Sequence, residues 1–424
     1  MSYKNNKKSY SNKKRPSKGN KHTSNALRVL GTAILGIIII AVIVGIRTPA
    51  ETKAAATPEP TIEPTPQIII DTDNTQTPEA TPEPTPEPEP EYYTLSFIGD
   101  NTLWANANFI YSPYGLPQVV GDNYAYPYQN TASYFKEDEY TLANLECTLS
   151  DRDMYSSGET FSFKCPSAYA NILVEGGVDF VTMANNHTMD YYEQGRDDTK
   201  ESLDAVGIKY INDNEYIVVE TPNGLKLGVY TGYNTYHPEE KLEKIKSAYT
   251  DMKSNGADIT ICMFHWGQEL YYSPNENQST LAHNCIDIGY DIVYGSHPHC
   301  LQPIEEYNGK LIMYSMGNWC FGGSTEPSDP DTAIVQVKIK KDVDGTISYD
   351  SFTAIPCAVT SKIDAANAKA NKGNYNDYAA YNDYCPTPYP EDNEGYARVI
   401  AKLTGAFEPD SEGADYSNYY AAWG

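Results

Sequence analysis

The spacing of apolar and polar positions divides this chain into stretches of different character. Residues 29–46, VLGTAILGIIIIAVIVGI, carry no charge and no recurring polar position. A surface helix would show a polar stripe, so this run reads as a helix that is apolar all round. Its eighteen residues rise ~27 Å as a helix. With its flanks that is enough to cross a hydrocarbon core of ~30 Å. Residues 48–91 have no apolar period at all: eleven prolines recur among Glu and Thr, as in TPEATPEPTPEPEPE. Such a stretch buries no core and reads as a stiff, extended, self-repelling linker. At ~3.1 Å per residue it reaches up to ~135 Å.

From Tyr93 onward, short apolar runs alternate with amphipathic ones. Residues 93–98, 140–143, 178–183, 258–264, 291–294 and 310–314 are predicted strands. Residues 167–175, 195–206, 239–254 and 279–288 are predicted helices, stopped near Gly176, Gly207, Gly256 and Gly289. Residues 216–220 and 225–231 form a hairpin around Pro222-Asn223-Gly224, and a second hairpin follows 332–339 through Val343-Asp344-Gly345. This alternation predicts a layered α/β domain. Residues 364–424 change character: NKGNYNDYAAYNDY is rich in Asn, Tyr and Asp. It reads as a loosely packed tail or surface layer, with carbohydrate or cell-wall contact through tyrosine faces as the functional alternative.

Charge sharpens the organisation. Acids outnumber bases 57 to 31, for a net charge of -26. That balance argues against a nucleic-acid binder, which needs Lys and Arg for phosphates. Residues 1–28 are the exception, with nine bases and no acid. Because those bases precede the apolar run, the N-terminus is expected in the cytoplasm and the rest outside the cell. A signal peptide cut near Ala54-Ala55-Ala56 is the competing reading. The expected organisation is therefore a basic tail (1–28), a transmembrane signal anchor (29–46), a Pro/Glu/Thr-rich linker (47–91), a catalytic-type domain (92–363) and the Tyr/Asn/Asp-rich segment (364–424). All eight cysteines lie after the linker, where an extracellular setting permits disulfides. No CxxC pair suggests a thiolate zinc site. Cys147–Cys165 and Cys357–Cys385 are candidate disulfides from nearness in sequence alone.

The candidate chemistry sits where the predicted strands end. Asp100, Glu146, Asn186-His187, His265 and His297/His299 all fall just past the C-terminal end of a strand, the edge at which α/β sheets build sites. One strand-end histidine is normally a solvated loop residue; five strand ends carrying carboxylate, carboxamide or imidazole point instead to a metal site. That donor set suits Mn, Fe or Zn, as one ion or as two, and Glu146 is a candidate bridge. His297-Pro298-His299 places two imidazoles on one side if the segment is extended. Asp190 and Glu269 are candidate partners for the ligand histidines, and Asn318 a candidate substrate contact. Trp266, Trp319, His237 and His283 read as structural.

The motifs GD (99–100), NLE (144–146), ANNH (184–187), HWGQE (265–269), GSHPH (295–299) and YSMGN (314–318) follow in the order of the bacterial capsule-synthesis CapA family. That family is linked to poly-γ-glutamate and belongs to the calcineurin-like metallophosphatase superfamily. The resemblance spans roughly residues 93–356. It implies a four-layer α/β/β/α sandwich with a metal site. Asp100, Glu146, Asn186, His265, His297 and His299 would be ligands, and His187 the acid or orienting donor near substrate. Two departures stand out: the superfamily's first motif is Asp-x-His, where this chain has Thr102, and Glu146 replaces a bridging Asp.

Two functional classes follow. One is a membrane-anchored hydrolase or transferase acting on an anionic surface polymer such as poly-γ-glutamate, with generic metallophosphoesterase activity as its variant. The other is a non-catalytic component of a capsule synthase or export complex. A strongly acidic domain repels a polyanion at long range, so Lys164, Arg196 and Lys200 are candidates for a local basic groove.

Overall fold

The structure, a computed structural model, describes residues 88–105, 110–158, 160–233 and 238–409. The basic tail, the apolar run 29–46, nearly all of the linker, His22, His237 and residues 410–424 lie outside these. No helix among the described residues is long and apolar enough to cross a membrane.

Two sheets form the frame. In the first, the strands run in the order Thr387–Pro388, Ile347–Ala358, Asp331–Lys341, Glu91–Thr102, Tyr140–Leu145, Phe180–Thr182 and Lys209–Ile211. Asn318–Phe321 pairs in parallel with the far end of Glu91–Thr102. In the second, the order is Ile304–Tyr307, Lys310–Met313, Ile292–Ser296, Ile259–His265, Lys226–Tyr233 and Tyr216–Glu220. The first sheet is parallel from Glu91–Thr102 to the Lys209–Ile211 edge and antiparallel from Glu91–Thr102 to the Thr387–Pro388 edge. The second is parallel in its middle with antiparallel edges.

Side-chain alternation explains the layering. Leu95, Phe97, Leu142, Ile261, Met263 and Tyr294 lie in a single apolar cluster between the sheets. The intervening positions face outward: Ile98 and Ala143 pack with Ile172, Leu173 and Leu203 of the helices Ala170–Gly176 and Tyr192–Val206. Cys262, Phe264 and Val293 pack with Ile245, Met252 and Leu281 of Pro238–Ser254 and Glu276–Ile288. Strands buried on both faces read as continuous apolar runs, which is why they were legible. The result is the expected four-layer order of helix, sheet, sheet, helix.

Of the two structural expectations for residues 364–424, the described part, 364–409, is a packed surface layer and not a loose tail. Tyr381, Tyr384 and Tyr389 are buried while residues 371–377 are exposed, and Arg398 and Lys402 of the helix Glu394–Leu403 bind Asp331 and Asp329. Those tyrosine rings serve packing rather than carbohydrate contact, although Tyr375 is exposed. The eight cysteines are buried thiols here, with the sulfurs of Cys147 and Cys165 3.7 Å apart. The sulfurs of Cys357 and Cys385 engage different partners, the former donating to the Ile355 carbonyl and the latter accepting from Gln129 and Asn130.

Candidate metal centre

Parallel pairing brings the strand ends into register. Asp100 lies opposite Asn144 on one side and Asn318 on the other, Asn144 opposite Thr182, and His265 opposite Ser296. The carboxylates of the first sheet thereby meet the imidazoles of the second. Gly99 makes this approach possible, because a Cβ there would collide with the Gly317 carbonyl oxygen, to which the Asp100 amide donates at 2.9 Å.

The ligand-type atoms form two trios, Glu146 with His265 and His297, and Asp100 with Glu146 and His299; within each, all lie within 4.8 Å of one another. Glu146 is common to both. Its Oε1 lies 3.3 Å from His265 Nε2 and makes no hydrogen bond although fully buried. Leaving a buried carboxylate oxygen without a donor is costly, and a cation at that point would relieve it. Asn186 Oδ1 is 2.8 Å from the same His265 nitrogen. Thr102 offers only a hydroxyl, 3.5 Å from Glu146 Oε2. The residues present therefore fit a divalent ion.

His297 and His299 do not act as a matched pair on an extended segment. Both are left-handed, with φ of 97° and 52°, a strained conformation of the kind concentrated at functional sites. The bend divides them. His297 Nδ1 approaches His265 Nε2 at 3.1 Å, while His299 Nδ1 sits 3.6 Å from Asp100 Oδ2. Asp100 also accepts the His297 amide at 3.2 Å.

Burial governs the protonation of this cluster. It pushes Asp100 up to about 6, helped by the charge of Glu146. It pulls His265 down to about 3 and drives His297 well below the usual histidine range, with His265 and His299 adding to it. Burial also opposes charge on His299, but the carboxylates of Glu146, Glu269 and Asp100 outweigh it and raise that pKa. Neutral imidazoles are the form that binds a metal.

His187 stands beside the trios. Its Nδ1 is 2.9 Å from Asp190 Oδ2, and Phe163 meets its ring edge-on at 4.7 Å. Burial disfavours its charged form, yet the Asp190 hydrogen bond and Glu146 prevail and raise its pKa. Asp190 is buried and also accepts the Phe163 amide at 2.8 Å. A cavity of about 380 Å³ opens here, walled by Phe161, Phe163, His187, Tyr233, Glu269 and Phe321. Asn318 lies behind it, its Oδ1 2.9 Å from His299 Nδ1. Trp266 and Trp319 are buried in the two outer apolar clusters.

Residues 94–323, more than half the chain, match the family profile of the bacterial capsule synthesis protein PGA_cap. The chain belongs to that family. It is 30% identical over 292 residues to the PGA biosynthesis protein CapA of Bacillus subtilis, covering 62% of this chain and 73% of that one. It is 27% identical over 305 residues to the capsule biosynthesis protein CapA of Bacillus anthracis, covering 65% and 71%. Among solved structures, a hypothetical protein from Thermus thermophilus is similar at 14% identity and TM-score 0.39, over 62% of this chain and 99% of that one. Purple acid phosphatase PPD1 from yellow lupin is similar at 13% identity and TM-score 0.32, over 70% and 57%.

Within this PGA_cap chain, sequence reading missed the amides that hold the centre together. Asn144 donates to Asp100 at 2.8 Å and accepts from Asn185 at 3.0 Å. Asn185 also donates to the Leu145 carbonyl and receives the His187 amide. Ser296 Oγ lies 3.0 Å from His265 Nδ1, fixing the ring from behind. A polar Asn inside the fully buried strand Tyr140–Leu145 was the available signal. The basic candidates miss the cavity: Lys164 donates to the Arg152 carbonyl, Arg196 pairs with Asp197, and neither they nor Lys200 line it.

Proposed function

We propose that this PGA_cap protein is a metal-dependent hydrolase or transferase. It is held at the cell membrane by its N-terminal apolar run, with the two-sheet domain outside. There it acts on an anionic surface polymer of the poly-γ-glutamate class. The observation that carries this reading is the sharing of Glu146 between two ligand trios. Asp100, Glu146, Asn186, His265, His297 and His299 would hold one or two divalent ions. When bound, these supply Lewis acidity at the floor of the cavity.

The chain's own residues do the rest. Asp190 engages Nδ1 of His187, so Nε2 is the ring nitrogen left to position or protonate a leaving group. The Phe163 amide anchors the same Asp190, which ties the aromatic wall to that imidazole. Asn318 orients His299. No Lys or Arg among the described residues lines the cavity. A polyanion would therefore be attracted by cations gripped at the carboxylates, not by a basic groove.

One observation favours a second reading, a non-catalytic partner of a capsule synthase: Thr102 brings a hydroxyl to Glu146 where the resemblance expects an imidazole. Metal analysis of the full chain in detergent, with turnover assays on poly-γ-glutamate and on aryl phosphates, separates the readings. Bound metal with polymer turnover supports the proposal. Turnover of aryl phosphates alone supports a generic phosphoesterase. Neither metal nor turnover sinks the enzyme and leaves the scaffold. His187→Ala should keep the metal and lose the turnover.

A further inference from the structure

Cys147 directly follows Glu146, and Cys165 ends the wall segment that carries Phe163. Their sulfurs are 3.7 Å apart, and both side chains are buried. Backbone pairing holds the two segments together: Thr148 lies opposite Lys164 and Leu149 opposite Cys165. The Thr148 amide donates to the Phe163 carbonyl and the Ser150 amide to that of Cys165, both at 2.9 Å. That register sets Cys147 diagonally across from Cys165, opposite Phe163, so reaching the ~2.05 Å of a sulfur–sulfur bond needs adjustment of both side chains and of the strand pairing between them. The Cys165 thiol also donates to the Thr148 carbonyl at 3.4 Å, as those of Cys300 and Cys357 donate to the carbonyls of Tyr271 and Ile355; what sets Cys165 apart from these two is a second sulfur within contact.

We propose that Cys147 and Cys165 form a disulfide in the mature protein, fastening the Glu146 end of the metal centre to the aromatic wall of the cavity. The reaction is thiol–disulfide exchange. One cysteine thiolate attacks the sulfur–sulfur bond of an oxidant disulfide, forming a mixed disulfide and expelling one thiolate. The second cysteine thiolate displaces the remaining oxidant sulfur and closes the Cys147–Cys165 bond. Two electrons pass to the oxidant, whose two released thiolates take up the two protons. The bond closes a loop between cysteines 18 positions apart, which restricts the unfolded chain.

The test uses the full chain in detergent, held for a prolonged period with oxidised glutathione. The protein is then denatured, its free thiols are alkylated, and it is digested without reduction. Mass spectrometry should find the peptides of Cys147 and Cys165 joined, and separated again after dithiothreitol. In Cys165→Ser, Cys147 should carry the alkyl label. Alkyl label on both cysteines of the oxidised wild type, or a bond from either one to a different cysteine, overturns the assignment.

Discussion

Around Glu146, two carboxylates face three imidazoles and, among the described residues, neither Lys nor Arg. One buried carboxylate oxygen without a hydrogen-bond partner occurs here, Glu146 Oε1, and one in the cluster around Asp331, Asp329 Oδ2, so the facing groups are what differ. Around Asp331, two carboxylates face Lys402 and Arg398. Lys402 Nζ lies 2.6 Å from Asp329 and 2.7 Å from Asp331, and Arg398 grips Asp331 through two nitrogens at 2.7 Å. The two clusters bury similar acids, yet only the second supplies their countercharge from its own side chains. The second is a structural pin that fastens the helix Glu394–Leu403 to the sheet. The first withholds that countercharge, as expected where a cation from solution completes the arrangement. Burial of acids is thus a poor guide to function by itself; the identity of the facing groups decides.

The largest effect should come from breaking the pin. Lys402→Met leaves Asp329 and Asp331 with Arg398 as their remaining cation and should cost ~3–5 kcal/mol of stability, read by chemical denaturation. Its metal content per folded molecule should stay unchanged. At the other cluster, Glu146→Gln should lower metal affinity at least ~100-fold, the upper end of what losing a mere supporting residue does. Stability of the metal-free chain should be unchanged or improved, since a like-charge contact with Asp100 disappears. A large loss of stability there would erase the contrast between the clusters.

Asn144→Ala removes the amide that joins Asp100 to Asn185. It should cost ~1–3 kcal/mol and weaken metal binding ~10–100-fold, measured by denaturation and metal titration. A pH series sharpens the comparison further. Burial pushes Asp331 upward, but Lys402 and Arg398 overcome it and hold its pKa below the usual carboxylate range. Its ionised form therefore stabilises the fold above the unfolded value of ~3.9, and that contribution is lost as pH falls through the lower folded value. The stability gap between wild type and Asp331→Asn should be full near neutrality and close progressively in acid. Arg196→Ala, remote from both clusters, should change stability by no more than ~0.5 kcal/mol and leave turnover intact.

Much of this was legible in the sequence because the central strands are buried on both faces and end abruptly in polar motifs. Asp100, Glu146, His265, His297 and His299 do converge, as their strand-end positions implied. What escaped notice depends on tertiary contact. Asn144 stands out as a polar residue in an apolar strand, but its partners, Asp100 and Asn185, come from other elements. Phe161 and Phe163 sit on an irregular segment with no period to read. The divergence of His297 and His299 follows from two positive φ angles that an extended-segment rule does not foresee. The strand Ile304–Tyr307 is only partly buried and carries no apolar run, and Tyr381 and Tyr384 were masked by the polar company they keep in sequence.

Because the acids hang from one sheet and the imidazoles from the other, a slip between the two layers by one residue, ~3.3 Å, would part every carboxylate from its histidine. The grip on a cation is therefore tuned by Phe97, Met263, Tyr294 and the other side chains wedged between the layers. Conservative swaps deep in that seam should alter metal affinity without touching a single ligand.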